Sequence, residues 1–198
     1  GALLITPYYN KPNQDGLVAH FTALAEAVDF PQVLYNVPGR TAVNMLPESV
    51  ARMANFDNVV AIKEATGSIQ VAGEIHRLCG DRIDIISGDD FSNIGLLAMG
   101  AVGAISVTAN IIPGPMSAMF KAWQAGDLAE ARRLHYSILD LHSAMFMDTS
   151  PIPVKTATAM MGLTGPTMRM PLTPLSEGKI AELRALLSSH NLLQEQVA

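Results

Sequence analysis

Five short apolar runs mark the first half of the chain, each followed by turn residues and then by a stretch with apolar positions three and four apart. They are ALLIT (2–6), QVLYN (32–36), VVAIK (59–63), IDIIS (83–87) and AVGAISV (101–107). Their last residues lie 30, 27, 24 and 20 positions apart. Each interval holds one strand, one helix and two loops but no second strand. The intervening segments GLVAHFTALAEAV, PESVARMANF, SIQVAGEIHRL and DFSNIGLLAMG read as amphipathic helices. Pro47 suits a first helical turn, where its missing N–H costs nothing. Strands this apolar are expected to be buried on both faces, and alternation with helices predicts a parallel sheet.

After position 107 only helical patterns remain: IPGPMSAMFKAWQAG, DLAEARRLHYSILDLHSAMFM, SPIPVKTATAMMG and LSEGKIAELRALLSSHNLL. Asp127, with Glu130 three residues on, predicts an N-cap. No low-complexity linker intervenes, so a β/α domain over 1–125 and a helical appendage over 126–198 are expected. Five parallel strands fit either an open doubly wound sheet or part of an eight-stranded barrel. The Gly-rich GxGxxG turn of a dinucleotide-binding sheet is missing, and polar residues gather at several strand ends, which favours the barrel.

Charge and cysteine usage narrow the function classes. Thirteen Lys plus Arg against eighteen Asp plus Glu give a formal charge of -5 without a basic run, which argues against a nucleic-acid partner. Cys79 is the single cysteine, so no internal disulfide is expected; no Cys/His spacing suggests a metal site, and a cytoplasmic setting fits. No apolar run reaches a membrane span, and no signal-peptide pattern opens the chain. The eleven methionines read as core filler, and the five histidines as residues of separate helices with no shared face.

The chemistry sits where the strands end: TPYYN, YNVPGRT, KEATG and SGDD. In parallel β/α architectures these ends share one side, where active sites form. Lys63 ends a buried run, and desolvation there favours the neutral amine, a nucleophile toward a carbonyl. A structural ion pair with Glu64 or another carboxylate at the barrel rim is an equally open reading. Tyr35 is either a proton-shuttling phenol or a core ring with a wet hydroxyl. Pro38 and Gly39 turn the chain to present Arg40, whose planar fork fits a carboxylate, or else pairs on the surface. Tyr8 and Tyr9 point opposite ways on an extended segment, so one can face a site and the other an interface. Gly88 allows close backbone approach to a ligand, while Asp89 or Asp90 reads first as a helix cap.

TPYYNKP, LYNVPGRT, AIKEATG, ISGDD, GAISVTAN and PIPVK, in this order, resemble the dihydrodipicolinate synthase family of the pyruvate-dependent class I aldolase and lyase superfamily. The resemblance spans essentially the whole chain. It implies a (β/α)₈ TIM barrel with C-terminal helices, of which strands 4 to 8 are present and the first three β/α units lie before Gly1. It implies a cofactor-free enzyme, built as a homotetramer (a dimer of dimers), that condenses pyruvate with L-aspartate 4-semialdehyde. In this resemblance Lys63 forms the Schiff base, Tyr35 shuttles protons, and Arg40 holds the semialdehyde carboxylate. Tyr9 is supplied across a dimer interface to a neighbouring site, Tyr8 lines an effector cleft, and Gly88 and Ile105 lie against pyruvate. Arg40 favours a small acidic aldehyde over the sugar acids of N-acetylneuraminate lyase and the keto-deoxy-sugar aldolases. An inactive partial barrel serving assembly is the remaining alternative.

Overall fold

The computed structural model describes residues 1–193, which divide into two compact units, 1–106 and the residues from 107 onward. The division falls earlier than the 125/126 boundary expected from the sequence, because the helix that follows the last strand belongs to the second unit.

In the first unit the five apolar runs become strands: β1 (Ala2–Ile5), β2 (Gln32–Asn36), β3 (Val59–Glu64), β4 (Asp84–Ser87) and β5 (Gly103–Ala104). They form one sheet of parallel neighbours in the order β1-β2-β3-β4-β5. A doubly wound sheet reverses its order at a switch point, whereas a barrel adds each strand beside the last. The strictly sequential order is therefore that of a barrel segment. The last strand is far shorter than its run over 101–107; Gly103 weakens a strand interior, and after Ser106 the chain turns into a 3₁₀ helix, Thr108–Asn110.

Helices α1 (Gln14–Ala27), α2 (Pro38–Thr41), α3 (Pro47–Met53), α4 (Ile69–Cys79) and α5 (Asn93–Ala98) connect the strands. Asn13 caps α1 by accepting from the Gly16 N–H, Ser68 caps α4 by accepting from Val71, and Pro47 occupies the first turn of α3. The apolar stripes of these helices meet one face of the sheet. Leu17, Phe21, Val50, Met53, Ile75 and Leu96 pack in one cluster with Leu34, Ile62 and Ile85. Burial on both faces, expected from the sequence, is seen at β3, where Ala61 and Lys63 are buried opposite Ile62, but not at β1. The opposite face leaves Leu3 and Ile5 46% and 40% exposed, since the helices of this unit cover one side only. That open face is the one a closed barrel turns inward.

The second unit is helical: α6 (Pro113–Gln124), α7 (Leu128–Ser137), α8 (Leu139–Ala144), α9 (Ile152–Met160) and α10 (Glu177–Ser189). Asp127 caps α7, its carboxylate accepting from the Glu130 N–H at 3.0 Å. The single helix expected over 127–147 breaks at Ile138, where φ and ψ are −124° and 7°. Residues seven apart on a straight helix stand about 10 Å apart. His135 in α7 and His142 in α8 lie ring to ring at 5.9 Å across the break, against the expectation that the histidines share no face. Among the described residues no helix is long and apolar enough to cross a membrane.

Candidate active site

Strand register assembles the site. Ile5, Tyr35, Lys63 and Ile86 are mutual partners across β1, β2, β3 and β4. Successive residues of a strand point to opposite faces. This row therefore lies on the open face, and the row that follows it lies on the helix-covered face with Leu34, Ile62 and Ile85.

Lys63 is only 9% exposed, and its Nζ stands 4.2 Å from the centre of the Tyr35 ring. β3 runs one residue beyond the lysine to Glu64. Burial lowers the Lys63 ammonium below its usual range; the carboxylate charge of Asp90 pushes it back up, and the Arg40 charge lowers it further. Burial also raises the Tyr35 phenol, with Arg40 pulling the other way. The pair thus favours a neutral amine against a neutral phenol. Glu64 does not pair with the lysine. Its Oε2 accepts from Asn36 Nδ2 at 3.1 Å and its Oε1 from the Thr66 N–H at 2.6 Å.

Gly88 packs on the lysine stem. A Cβ there would lie 2.7 Å from the Cβ of Ala65 and 3.0 Å from Cε of Lys63, closer than side chains approach. The Gly88 N–H donates to the Glu64 carbonyl at 2.8 Å, which fixes the backbone beside the amine. Arg40 sits in the last turn of α2, a single turn begun by Pro38 and closed by Ala42 in the left-handed conformation at φ 53°. Exposed itself, Arg40 projects its charge on both Tyr35 and Lys63. Ile105 follows β5, and its N–H donates to Ser87 at 2.9 Å, placing it beside the strand end that carries Gly88.

Tyr8 and Tyr9 stand apart, 61% and 95% exposed just beyond β1. Neither ring packs on Lys63 among the described residues. The two acids of SGDD separate. Asp89 accepts from the N–H and hydroxyl of Ser92 at 3.1 and 2.6 Å, a capping role. Gly67, at φ 71°, leaves room for it. Asp90 is buried, and its charge bears on Lys63, where the sequence offered it first as a helix cap. A buried polar row, Thr6, Asn36, Glu64 and Ser87, was passed over. Its signal was positional, because Asn36 and Glu64 each directly follow a reactive residue and so face the other way.

A half-desolvated amine on a phenol, with a guanidinium nearby and bare backbone on its flank, is suited to forming an imine with a small keto acid. The comparisons point the same way. Residues 1–190 match the dihydrodipicolinate synthetase family. A 4-hydroxy-tetrahydrodipicolinate synthase of Pelobacter propionicus is 56% identical over 193 residues, 98% of this chain and 67% of that protein. The crystal structure of dihydrodipicolinate synthase from Aquifex aeolicus superposes with a TM-score of 0.96 at 39% identity, over 99% of this chain and 67% of that one. The chloride-inhibited dihydrodipicolinate synthase of Acinetobacter baumannii, complexed with pyruvate, gives 0.94 at 43% identity, over 97% and 66%. The chain thus spans about two thirds of the length of its relatives, and its sequential sheet is part of their barrel. It belongs to the dihydrodipicolinate synthetase family, whose relatives named here are 4-hydroxy-tetrahydrodipicolinate synthases, class I aldolase-type lyases of lysine biosynthesis.

Proposed function

We propose that the protein carrying this chain condenses pyruvate with L-aspartate 4-semialdehyde to 4-hydroxy-tetrahydrodipicolinate through a Schiff base on Lys63. The observation that carries the reading is the lysine itself, buried at a strand end, lowered in pKa and stacked on Tyr35. The neutral amine adds to the pyruvate ketone, and loss of water gives the iminium. Loss of a C3 proton makes an enamine, whose carbon attacks the aldehyde of the semialdehyde. The semialdehyde amino group then displaces Lys63 from the imine carbon, closing the ring, so the two substrates leave as product plus one water. Tyr35 relays the protons of the carbinolamine and the new alkoxide. Arg40 receives the semialdehyde carboxylate. The backbone at Gly88 and Ile105 borders pyruvate.

Tyr9, almost wholly exposed, is available to a neighbouring protomer's site, which suits a homotetramer built from dimers; Tyr8 is the candidate for an effector cleft. A cytoplasmic location fits the lone thiol, Cys79. The test is borohydride reduction of the intact protein with pyruvate, followed by peptide mapping. An adduct on Lys63, absent from Lys63→Ala, supports the reading; a wild-type protein that traps nothing overturns it. Turnover with the semialdehyde but not with sugar aldehydes distinguishes this activity from a sugar-acid aldolase.

A further inference from the structure

Directly behind the reactive row lies a second row that the reaction does not touch. Asn36 and Glu64 are register partners, fully buried, at the ends of the strands that carry Tyr35 and Lys63. Apart from the bond between them, their side chains bind loops. Asn36 Nδ2 donates to Asn44 Oδ1 at 3.0 Å and to the Met45 carbonyl at 3.4 Å, and its Oδ1 accepts from the Met45 N–H at 3.0 Å. The segment so tethered, 37–45, is the loop whose first turn bears Arg40. Glu64 closes the other side, accepting from Asn36 with one oxygen and from the Thr66 N–H with the other. Main-chain bonds run along the same line: the Ala65 N–H donates to the Asn36 carbonyl at 2.9 Å and the Gly88 N–H to the Glu64 carbonyl at 2.8 Å.

We propose that Asn36 and Glu64 form a positioning latch that fixes the Arg40 loop relative to Lys63 and thereby sets recognition of the acidic aldehyde. The latch rests on the roles given above to Lys63 and Arg40. Its chemistry is strict, because both carboxylate oxygens of Glu64 face N–H donors. A glutamine offers one acceptor and one donor pair, so Glu64→Gln must turn an NH₂ toward either Asn36 or Thr66. Asn36→Asp combined with Glu64→Gln does not restore the latch: the new amide can donate to the Asp, but the oxygen that replaces Nδ2 then faces the Asn44 Oδ1 and the Met45 carbonyl, which are both acceptors.

In the full-length protein, Glu64→Gln is expected to raise KM for the semialdehyde about tenfold. KM for pyruvate and borohydride trapping on Lys63 stay near wild type. Adding Asn36→Asp does not recover the loss, because it cuts the donations to Asn44 and Met45. Combined with Arg40→Met, Glu64→Gln adds little, as coupled residues do. Asn44→Ala, at an exposed position, cuts one tether and gives the same shift at smaller size, which keeps the test open if Glu64→Gln fails to fold. Lowered thermal stability with an unchanged semialdehyde KM in Glu64→Gln, or in Asn44→Ala where only that variant folds, overturns the latch and leaves the Schiff base standing. Failure of wild-type trapping overturns the Schiff base instead.

Discussion

Two adjacent rows of side chains at the same strand ends have opposite fates. The row of Ile5, Tyr35, Lys63 and Ile86 faces the open side of the sheet, and its ionisable groups are desolvated without being neutralised by a direct ion pair. In the other row Asn36, Glu64 and Ser87 are buried more deeply, yet each has hydrogen-bond partners, while the buried Thr6 hydroxyl has none among the described residues. A buried polar group that is fully satisfied gains rigidity and loses reactivity. One that is desolvated without a direct ion pair keeps its reactivity, and neighbours must hold it in place. Alternation along a strand supplies both within two consecutive residues, Tyr35 with Asn36 and Lys63 with Glu64.

The sharpest way to break this contrast is to crowd the reactive row without altering its chemistry. Gly88→Ala adds one carbon against Ala65 and the stem of Lys63. The contact with the Ala65 Cβ at 2.7 Å is relieved only by a backbone shift, and the lysine stem, 3.0 Å away, moves with it. A reactive group displaced by about 1 Å loses on the order of 100-fold in rate. The expected result is that fall in kcat with trapping slowed and the fold retained, read by steady-state kinetics and circular dichroism. Wild-type kcat in Gly88→Ala would mean the amine is not held by this contact.

Arg40→Met sharpens the contrast electrostatically, with a smaller effect. The Arg40 charge lowers both Lys63 and Tyr35. Without it the lysine holds its proton to higher pH, so the acid limb of the rate of imine formation moves upward. The tyrosine shifts the same way, and the profile is displaced rather than narrowed. The semialdehyde KM rises with it, because the carboxylate loses a charge-assisted partner. The pH dependence of pyruvate trapping, measured with wild type and Arg40→Met side by side, checks the displacement. An unmoved acid limb would show that Arg40 does not act on the amine.

Much of this was legible in the sequence for a physical reason. Strand runs, turn residues and caps are local, so the alternation of β and α, the Asp127 cap and the strand-end position of Lys63 could be read directly. Burial asymmetry was not legible. Leu3 and Ile5 are as apolar as Leu34 and Ile62, and nothing in their identity shows which face the helices cover. Partnership was also hidden. Glu64 read as the natural mate of Lys63 because they are neighbours in sequence, but adjacency on a strand is what separates them. Asp90, distant in sequence, is the acid that acts on the lysine. The break at Ile138, across which His135 and His142 meet, leaves no mark in the helical periodicity.

The smallest expected effect concerns stability. Burial lowers the folded-state pKa of Lys63 below its ordinary 10.5. Between the two values the unfolded chain holds a proton that the folded chain has released, so stability rises with pH through that window. Below the folded-state pKa the full cost of a buried ammonium remains. Tyr35 acts in the opposite sense, but only above its ordinary 10.0, where the folded chain keeps a proton longer than the unfolded one. Lys63→Met removes the lysine contribution and packs on the Tyr35 ring. The inactive variant should therefore melt a few degrees higher than wild type near neutral pH, a common trade of activity against stability. The gap should narrow as pH rises through that window toward the ordinary lysine value of 10.5. Melting curves of the intact protein and the variant across that range decide it: a gap that widens with pH would mean the amine is stabilised as a cation, and that the reactive row is satisfied like the one behind it.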